Sequence, residues 1–278
     1  MRPKDEPVLR IGLLADPHYA DKSDNENRCY RGSLDKVRQA VEHFNRAKAD
    51  FAVELGDFID SGDSIEQETA FVRRIETEFA RFGGARYHVL GNHCVEMLTK
   101  NEFLRACRTR RPAYYSFDVR GFHFIVLDAC YRRDEQPYGR RNFTWTDACI
   151  PAAECGWLRE DLAQTQHRSI VFVHQRLDTD DKLAIANRQQ VRDILERSGK
   201  VLAVVQGHHH PGDCRKVGPV HYVTLTAMVT RAGLENNAYG ILEVYSDGTL
   251  RLQGFGRQKS FMLPPASAGP VTASGPGL

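Results

Sequence analysis

Aspartate, histidine and asparagine recur in this chain in short motifs: Asp16-Pro17-His18, Gly56-Asp57-Phe58-Ile59-Asp60, Gly91-Asn92-His93, an isolated His174, and Gly207-His208-His209-His210. Any one of these reads most simply as an ordinary core histidine or a Gly-Asp turn. Together they supply carboxylate oxygens and imidazole nitrogens, the donors that suit zinc, manganese or iron, while the scarcity of thiolates argues against a structural zinc cage. A carboxylate has two oxygens, so Asp57 can bridge two cations. The number of donors points to a pair of divalent ions rather than one.

Each motif follows an apolar run that reads as a strand: Leu13-Leu14-Ala15, Phe51-Ala52-Val53, Tyr87-His88-Val89-Leu90, Ile170-Val171-Phe172-Val173 and Val204-Val205-Gln206. Strand ends in an α/β sheet open onto a common crevice, so five of them would deliver the donors to one rim. Leu34, Val37, Ala40, Val41, Phe44 and Ala47 recur at the helical period between the first two strands, which predicts a β-α-β start and a parallel sheet. Ser64-x-x-Gln67 and Thr99-x-x-Glu102 read as capping boxes. Segments 114–119 and 122–127 predict a hairpin about Arg120-Gly121. Pro151 fits the first turn of a helix, and Asn187 and Gly199 should cap and close another. A strand over 220–229 and a hairpin over 239–255 around Asp247-Gly248 complete a β-rich end. Residues 129–150 show no period; a loop of that length in a compact domain is usually functional. It interleaves Tyr131, Tyr138, Phe143 and Trp145 with arginines that include Arg141. Aromatic faces can stack on a base and arginine forks can hold a phosphate, so Tyr131, Arg141 and Trp145 are candidate substrate contacts.

Lys+Arg 38 against Asp+Glu 36 leaves a net charge of +2, which weighs against a nucleic-acid binder held by phosphate charge. No apolar run approaches membrane-spanning length, and the N-terminus lacks a signal-peptide core. Seven scattered cysteines read as free thiols in a reducing cytoplasm. We expect an N-terminal tail over 1–7, one catalytic domain over 8–263, and a disordered tail of Pro, Ala, Ser and Gly over 264–278. No internal repeat is present.

The ordered series D-x-H, G-D-x-x-D, G-N-H, a lone His and G-H-x-H resembles the calcineurin-like metallophosphoesterases from about Ile11 to His210. That resemblance implies an α/β four-layer αββα sandwich with two mixed β-sheets face to face. It also implies that Asp16, His18, Asp57 and His210 bind a first metal, and Asp57, Asn92, His174 and His208 a second. Such a pair of ions, Mn, Fe or Zn, clamps a phosphoryl group and acidifies a water for in-line attack. His93 matches the histidine that stabilises the transition state or protonates the leaving group, and His209 is expected not to ligate. Asp60 stands where purple acid phosphatases carry Tyr; we expect it to orient the ligands by hydrogen bonds. Cys94 stands where the family usually has an acid that holds the histidine. It either tunes His93 or packs as a small apolar residue.

A narrower likeness, to manganese-dependent ADP-ribose/CDP-alcohol diphosphatases, lies in Ala15-Asp16-x-His18-Tyr19-Ala20-Asp21, Tyr30-Arg31-x-Ser33-Leu34, Leu55-Gly56-Asp57-x-Ile59-Asp60, the stretch 187–210 and Gly254-Phe255-Gly256-Arg257. Those enzymes often carry Gln where this chain has His18. The expected activity is hydrolysis of phosphoester or phosphoanhydride bonds in small soluble substrates, nucleoside diphosphate-linked compounds leading. A phosphomonoesterase or cyclic-nucleotide phosphodiesterase is the alternative, and a binding scaffold would have shed ligands that this chain keeps. The residues give no oligomeric state.

Overall fold

A computed structural model describes residues 6–265. Most of both expected tails, 1–5 and 266–278, lies outside them. The first half runs β1 (Leu9–Leu14), α1 (Ser33–Arg46), β2 (Phe51–Glu54), α2 (Ile65–Phe79), β3 (Ala85–His88), α3 (Lys100–Ala106), β4 (Tyr115–Val119) and β5 (Phe122–Val126). The second runs α4 (Ala152–Gln164), β6 (Arg168–Phe172), α5 (Arg188–Ser198), β7 (Val201–Gln206), β8 (Asp213–Val217), β9 (Val220–Thr224), β10 (Ala238–Val244), β11 (Leu250–Gly256) and β12 (Phe261–Leu263).

Two six-stranded sheets form, in the orders β12-β11-β10-β1-β2-β3 and β4-β5-β6-β7-β9-β8. Both are mixed: β1, β2 and β3 are parallel, as are β5, β6, β7 and β9, with antiparallel strands at the flanks. Alternation along the strands sets the layers. Leu9, Ile11, Leu13, Phe51 and Val53 of one sheet meet Phe124, Val126, Ile170, Phe172 and Val205 of the other in a shared core. Leu14 and Ala52 face the opposite way, onto Val37, Val41 and Phe44 of α1 and Val72, Ile75 and Phe79 of α2. Ile125, Val171 and Val204 likewise face Leu158 of α4 and Val191 and Leu195 of α5. The result is the four-layer sandwich.

Some local expectations differ in detail. Ser64 Oγ accepts the Gln67 N–H at 3.2 Å, but Gln67 Oε1 takes the Asp63 N–H at 2.6 Å and leaves the box open. Thr99 and Glu102 close theirs. Asn187 begins α5 without capping it; its Oδ1 accepts the Ile150 N–H at 3.1 Å and its Nδ2 donates to Ile150 O at 2.8 Å. The residue thereby pins the end of loop 129–150 to α5. The strand expected over 220–229 stops at Thr224, and Met228 and Val229 turn to donate to the carbonyls of Ala15 and Asp16. Among the described residues no helix is long and apolar enough to cross a membrane.

Candidate metal centre

The parallel strands of both sheets end on one rim, and the backbone there is held in the left-handed region. Asp16 has φ 52°, His18 45°, Asp57 49° and His208 68°. Such a conformation costs about 1–3 kcal/mol at a non-glycine residue and persists only where the surroundings over-determine it. Gly56, at φ 91°, lets the chain turn directly after β2. Gly91 admits no side chain, since a Cβ there would lie 2.2 Å from Asp57 N. These close approaches bring donors from separate strands within reach of one another.

Two clusters result, each with its donor atoms within 4.8 Å of one another: Asp16, His18 and His210, and Asp57, His174 and His208; His18 is also grouped in this way with Asp60 and His93. Asp57 Oδ2 lies 3.2 Å from His174 Nε2 and 3.5 Å from His18 Nε2, so it stands between the clusters. His18 Nε2 faces His210 Nε2 at 3.2 Å, and His174 Nε2 faces His208 Nδ1 at 3.2 Å. Imidazole nitrogens turned toward each other at that distance suit a cation between them. Asn92 Oδ1 and His208 Nε2 are buried without a hydrogen-bond partner among the described residues. The outer nitrogens are committed: His18 Nδ1 to Asp60 Oδ2 at 2.9 Å, His174 Nδ1 to Leu55 O at 2.7 Å. That leaves Nε2 of each ring as the ligating atom. Lys22, at 2.6 Å, and Arg28, at 3.1 Å, hold Asp60 in turn. The donor set therefore fits two divalent ions.

Electrostatics divide the donors into neutral and charged groups. Burial lowers His18 to about 4, His208 to about 3 and His210 to about 2, which keeps those rings neutral and their lone pairs free. Burial raises Asp16 to about 7. Burial would lower His174, but Asp57 beside it outweighs that and lifts it to about 9. Burial would also raise Asp57, yet His174, His93 and His18 hold its carboxyl well below the usual range. Asp57 is the anionic centre of the cluster.

Known proteins bear on this arrangement. No protein-family model matches the chain. The manganese-dependent ADP-ribose/CDP-alcohol diphosphatase of Arabidopsis thaliana is 26% identical over 302 residues, covering 92% of this chain and 96% of that protein. The enzyme of the same name from Oryza sativa subsp. japonica is 25% identical over 292 residues, covering 88% of this chain and 91% of that one. A dimetal phosphatase from Danio rerio superposes with a TM-score of 0.81 at 23% identity, over 94% of this chain and all of that one (100%). In motifs and fold the chain is similar to the calcineurin-like metallophosphoesterases. It is a metal-dependent phosphoesterase, with the four-layer fold of that superfamily.

In this metallophosphoesterase His93 borders the donors: its backbone N–H donates to Asp57 Oδ1 at 2.8 Å and its ring packs on His18, centroids 4.8 Å apart. The carboxylate facing its ring comes from a residue that the sequence reading missed. Glu96 Oε2 lies 3.3 Å from His93 Nδ1, an ion-pair distance short of hydrogen-bond alignment. Residues 92–95 form a 3₁₀ turn, in which side chains at i and i+3 eclipse, so a Glu three places on reaches the histidine. Burial would lower His93, but Asp57, Glu96 and Asp60 raise it above the ordinary value. Cys94 is buried in the helix-side core and its sulfur accepts the Phe58 N–H at 3.4 Å.

A cleft of about 290 Å³ opens over the centre, lined by Asp57, Asn92, His93, His208, His209 and His210 with Arg28, Trp145 and Leu183. His209 joins neither donor cluster. Trp145 reaches the cleft, 42% exposed, with its ring 5.9 Å from that of His208. Tyr131 and Arg141 are placed elsewhere. Tyr131 lies under Lys100, Nζ 3.1 Å from its ring centroid, in a separate hollow. Arg141 spends its guanidinium on Gly62 O at 2.7 Å and its N–H on Glu96 O at 2.6 Å. Loop 129–150 thus gives the cleft one aromatic face, over which Lys182 Nζ lies 5.2 Å from the ring centroid, and Arg28 lines the cleft. The backbone of Arg28 bridges Thr230, a pairing with no local sequence signal.

Proposed function

We propose that this metallophosphoesterase hydrolyses the diphosphate linkage of nucleoside diphosphate-linked compounds of the ADP-ribose or CDP-alcohol kind, with manganese as its metal. The relatives named for that activity support the reading, and so does the pairing of Trp145 and Arg28 in one cleft beside the donors. Residues 8–263 form the catalytic unit in this reading. Asp16, His18, Asp57 and His210 would hold one ion, and Asp57, Asn92, His174 and His208 the other. When bound, two divalent ions neutralise phosphoryl charge and lower the pKa of a water. Around them, Asp60 fixes the His18 ring, and His93, with Nδ1 turned to Glu96, keeps Nε2 to hold a proton for the leaving oxygen. Trp145 offers a face for a base, and Arg28 a charge for the second phosphate. A cytoplasmic setting belongs to the same proposal, supported by seven free thiols of which six are buried.

The carrying observation is Trp145 standing exposed at the rim of the donor-lined cleft. The test compares kcat/KM under manganese for ADP-ribose, a CDP-alcohol, a nucleoside monophosphate and a bis-aryl phosphate. Nucleoside diphosphate compounds should lead, and Trp145→Ala should raise their KM more than that of the aryl substrate. Fastest hydrolysis of simple monoesters, with no effect of Trp145→Ala, would establish the phosphomonoesterase reading instead.

A further inference from the structure

On the helix side of the first sheet, away from the cleft, Glu76 of α2, His88 at the end of β3 and Cys107 just past α3 converge. One donor atom from each, a carboxylate oxygen, a ring nitrogen and a thiol sulfur, lies within 4.8 Å of the others. All are buried, at 5%, 6% and 3% exposure respectively. Glu76 Oε2 points at the cluster with no hydrogen-bond partner among the described residues. It is 3.3 Å from His88 Nε2, close enough for an ion pair but not aligned for a hydrogen bond. An unsatisfied carboxylate oxygen in a buried cluster is costly unless something else meets it.

The surroundings match those of a ligating histidine. His88 Nδ1 meets Glu54 Oε1 at 3.1 Å, the carboxylate–histidine pairing that fixes the ring and leaves Nε2 for a metal. Glu76 Oε1 is held by Arg86 Nη2 at 3.3 Å, which turns Oε2 inward. We propose that Glu76, His88 and Cys107 form a zinc site distinct from the catalytic pair, a water completing four-coordination. A thiolate with an imidazole and a carboxylate selects zinc, whereas manganese prefers oxygen donors. The proposed catalytic ligands include no sulfur, so the two sites should sort metals by chemistry. Zinc entry expels the Cys107 thiol proton to solvent and leaves a thiolate–zinc bond. Glu54 Oε2 accepts the Gly56 N–H at 3.0 Å, so the ion would brace, through His88 and Glu54, the turn that carries Asp57.

The test is independent of the substrate reading. Protein produced with zinc and manganese and dialysed against EDTA should keep one zinc per chain by mass spectrometry. Production in cobalt medium should give a thiolate-to-cobalt charge-transfer band. Cys107→Ser should lose both the band and the retained zinc while its circular dichroism and manganese binding persist. The wild-type band needs no variant, so a poorly folding Cys107→Ser leaves the test intact. Wild-type protein with neither band nor retained zinc would overturn the site and leave His88 as an imidazolium between two carboxylates. A band that survives in folded Cys107→Ser would overturn it too, by assigning the thiolate elsewhere.

Discussion

A histidine that must hold a proton for a leaving group needs one ring nitrogen anchored and the other free. His93 has Glu96 Oε2 at 3.3 Å from Nδ1, and the charges of Asp57, Glu96 and Asp60 outweigh burial to favour its protonated form. If Nε2 serves as the acid, His93→Ala should lower kcat by about 10²–10⁴-fold and keep the metals bound. The loss should be smaller for a good leaving group. Glu96→Gln should show the same leaving-group dependence at reduced size, because a neutral amide orients the ring but no longer favours its charge. Steady-state kinetics over aryl leaving groups of differing pKa check both variants. Equal losses for good and poor leaving groups would assign His93 to charge stabilisation alone. At this scale the convergence of the Asp and His motifs was legible, because five motifs in order leave little room for coincidence. Glu96 was not: its role depends on a 3₁₀ turn, and attention falls instead on Cys94, whose sulfur is spent on the Phe58 N–H.

Elements are held where they are partly by charge. His123 of β5 has Nδ1 2.7 Å from Asp118 of β4 and Nε2 2.7 Å from Asp161 of α4, which also accepts from Ser116 Oγ at 2.6 Å. The ring thus ties the edge hairpin to the helix packed on it. Burial would lower this histidine, yet Asp161 and Asp118 together raise it above the ordinary value. A raised folded pKa stabilises fully below the unfolded value, about 6.5, and is lost as pH rises through the folded value. Wild type should therefore lose more stability than His123→Gln between about pH 6 and pH 9, measured as the shift in urea midpoint. Identical shifts in the two proteins would show that His123 is neutral in the native state. The amphipathic helices and the long parallel strands could be read from apolar spacing. The edge strands β8 and β12 could not: β8 carries Asp213, Arg215 and Lys216, charges that protect a sheet edge and erase its alternation, and β12 has only three residues. Asn187 shows the same limit, since its side chain serves Ile150, a partner 37 residues away.

Across the whole molecule, the first sheet supplies Asp16, His18, Asp57 and Asn92 to the centre, and the second supplies His174, His208 and His210. The order of strands within each sheet was not legible, because β10 pairs with β1 and β9 enters between β7 and β8, but the shared rim was. Ions held there would cross-link the two sheets at their open ends. They would also relieve the crowding of Asp57, His174 and His208 in one buried cluster. A cation that binds only the folded chain stabilises it by mass action, about 2.7 kcal/mol at a concentration 100-fold above its Kd. A domain of this size gains roughly 2–4 °C in Tm per kcal/mol, so manganese in that excess should raise Tm by about 5–11 °C. Asp57→Asn removes the one negative charge shared by both clusters, so most of that increment should vanish along with activity. The fold should survive, since Asp57 reaches into the cleft rather than the core. Calorimetry with and without manganese on both proteins, with metal content by mass spectrometry, measures the effect. An equal rise in Asp57→Asn would place the stabilising ion at some other site, and Asp57 would then not be the bridge between the two sheets.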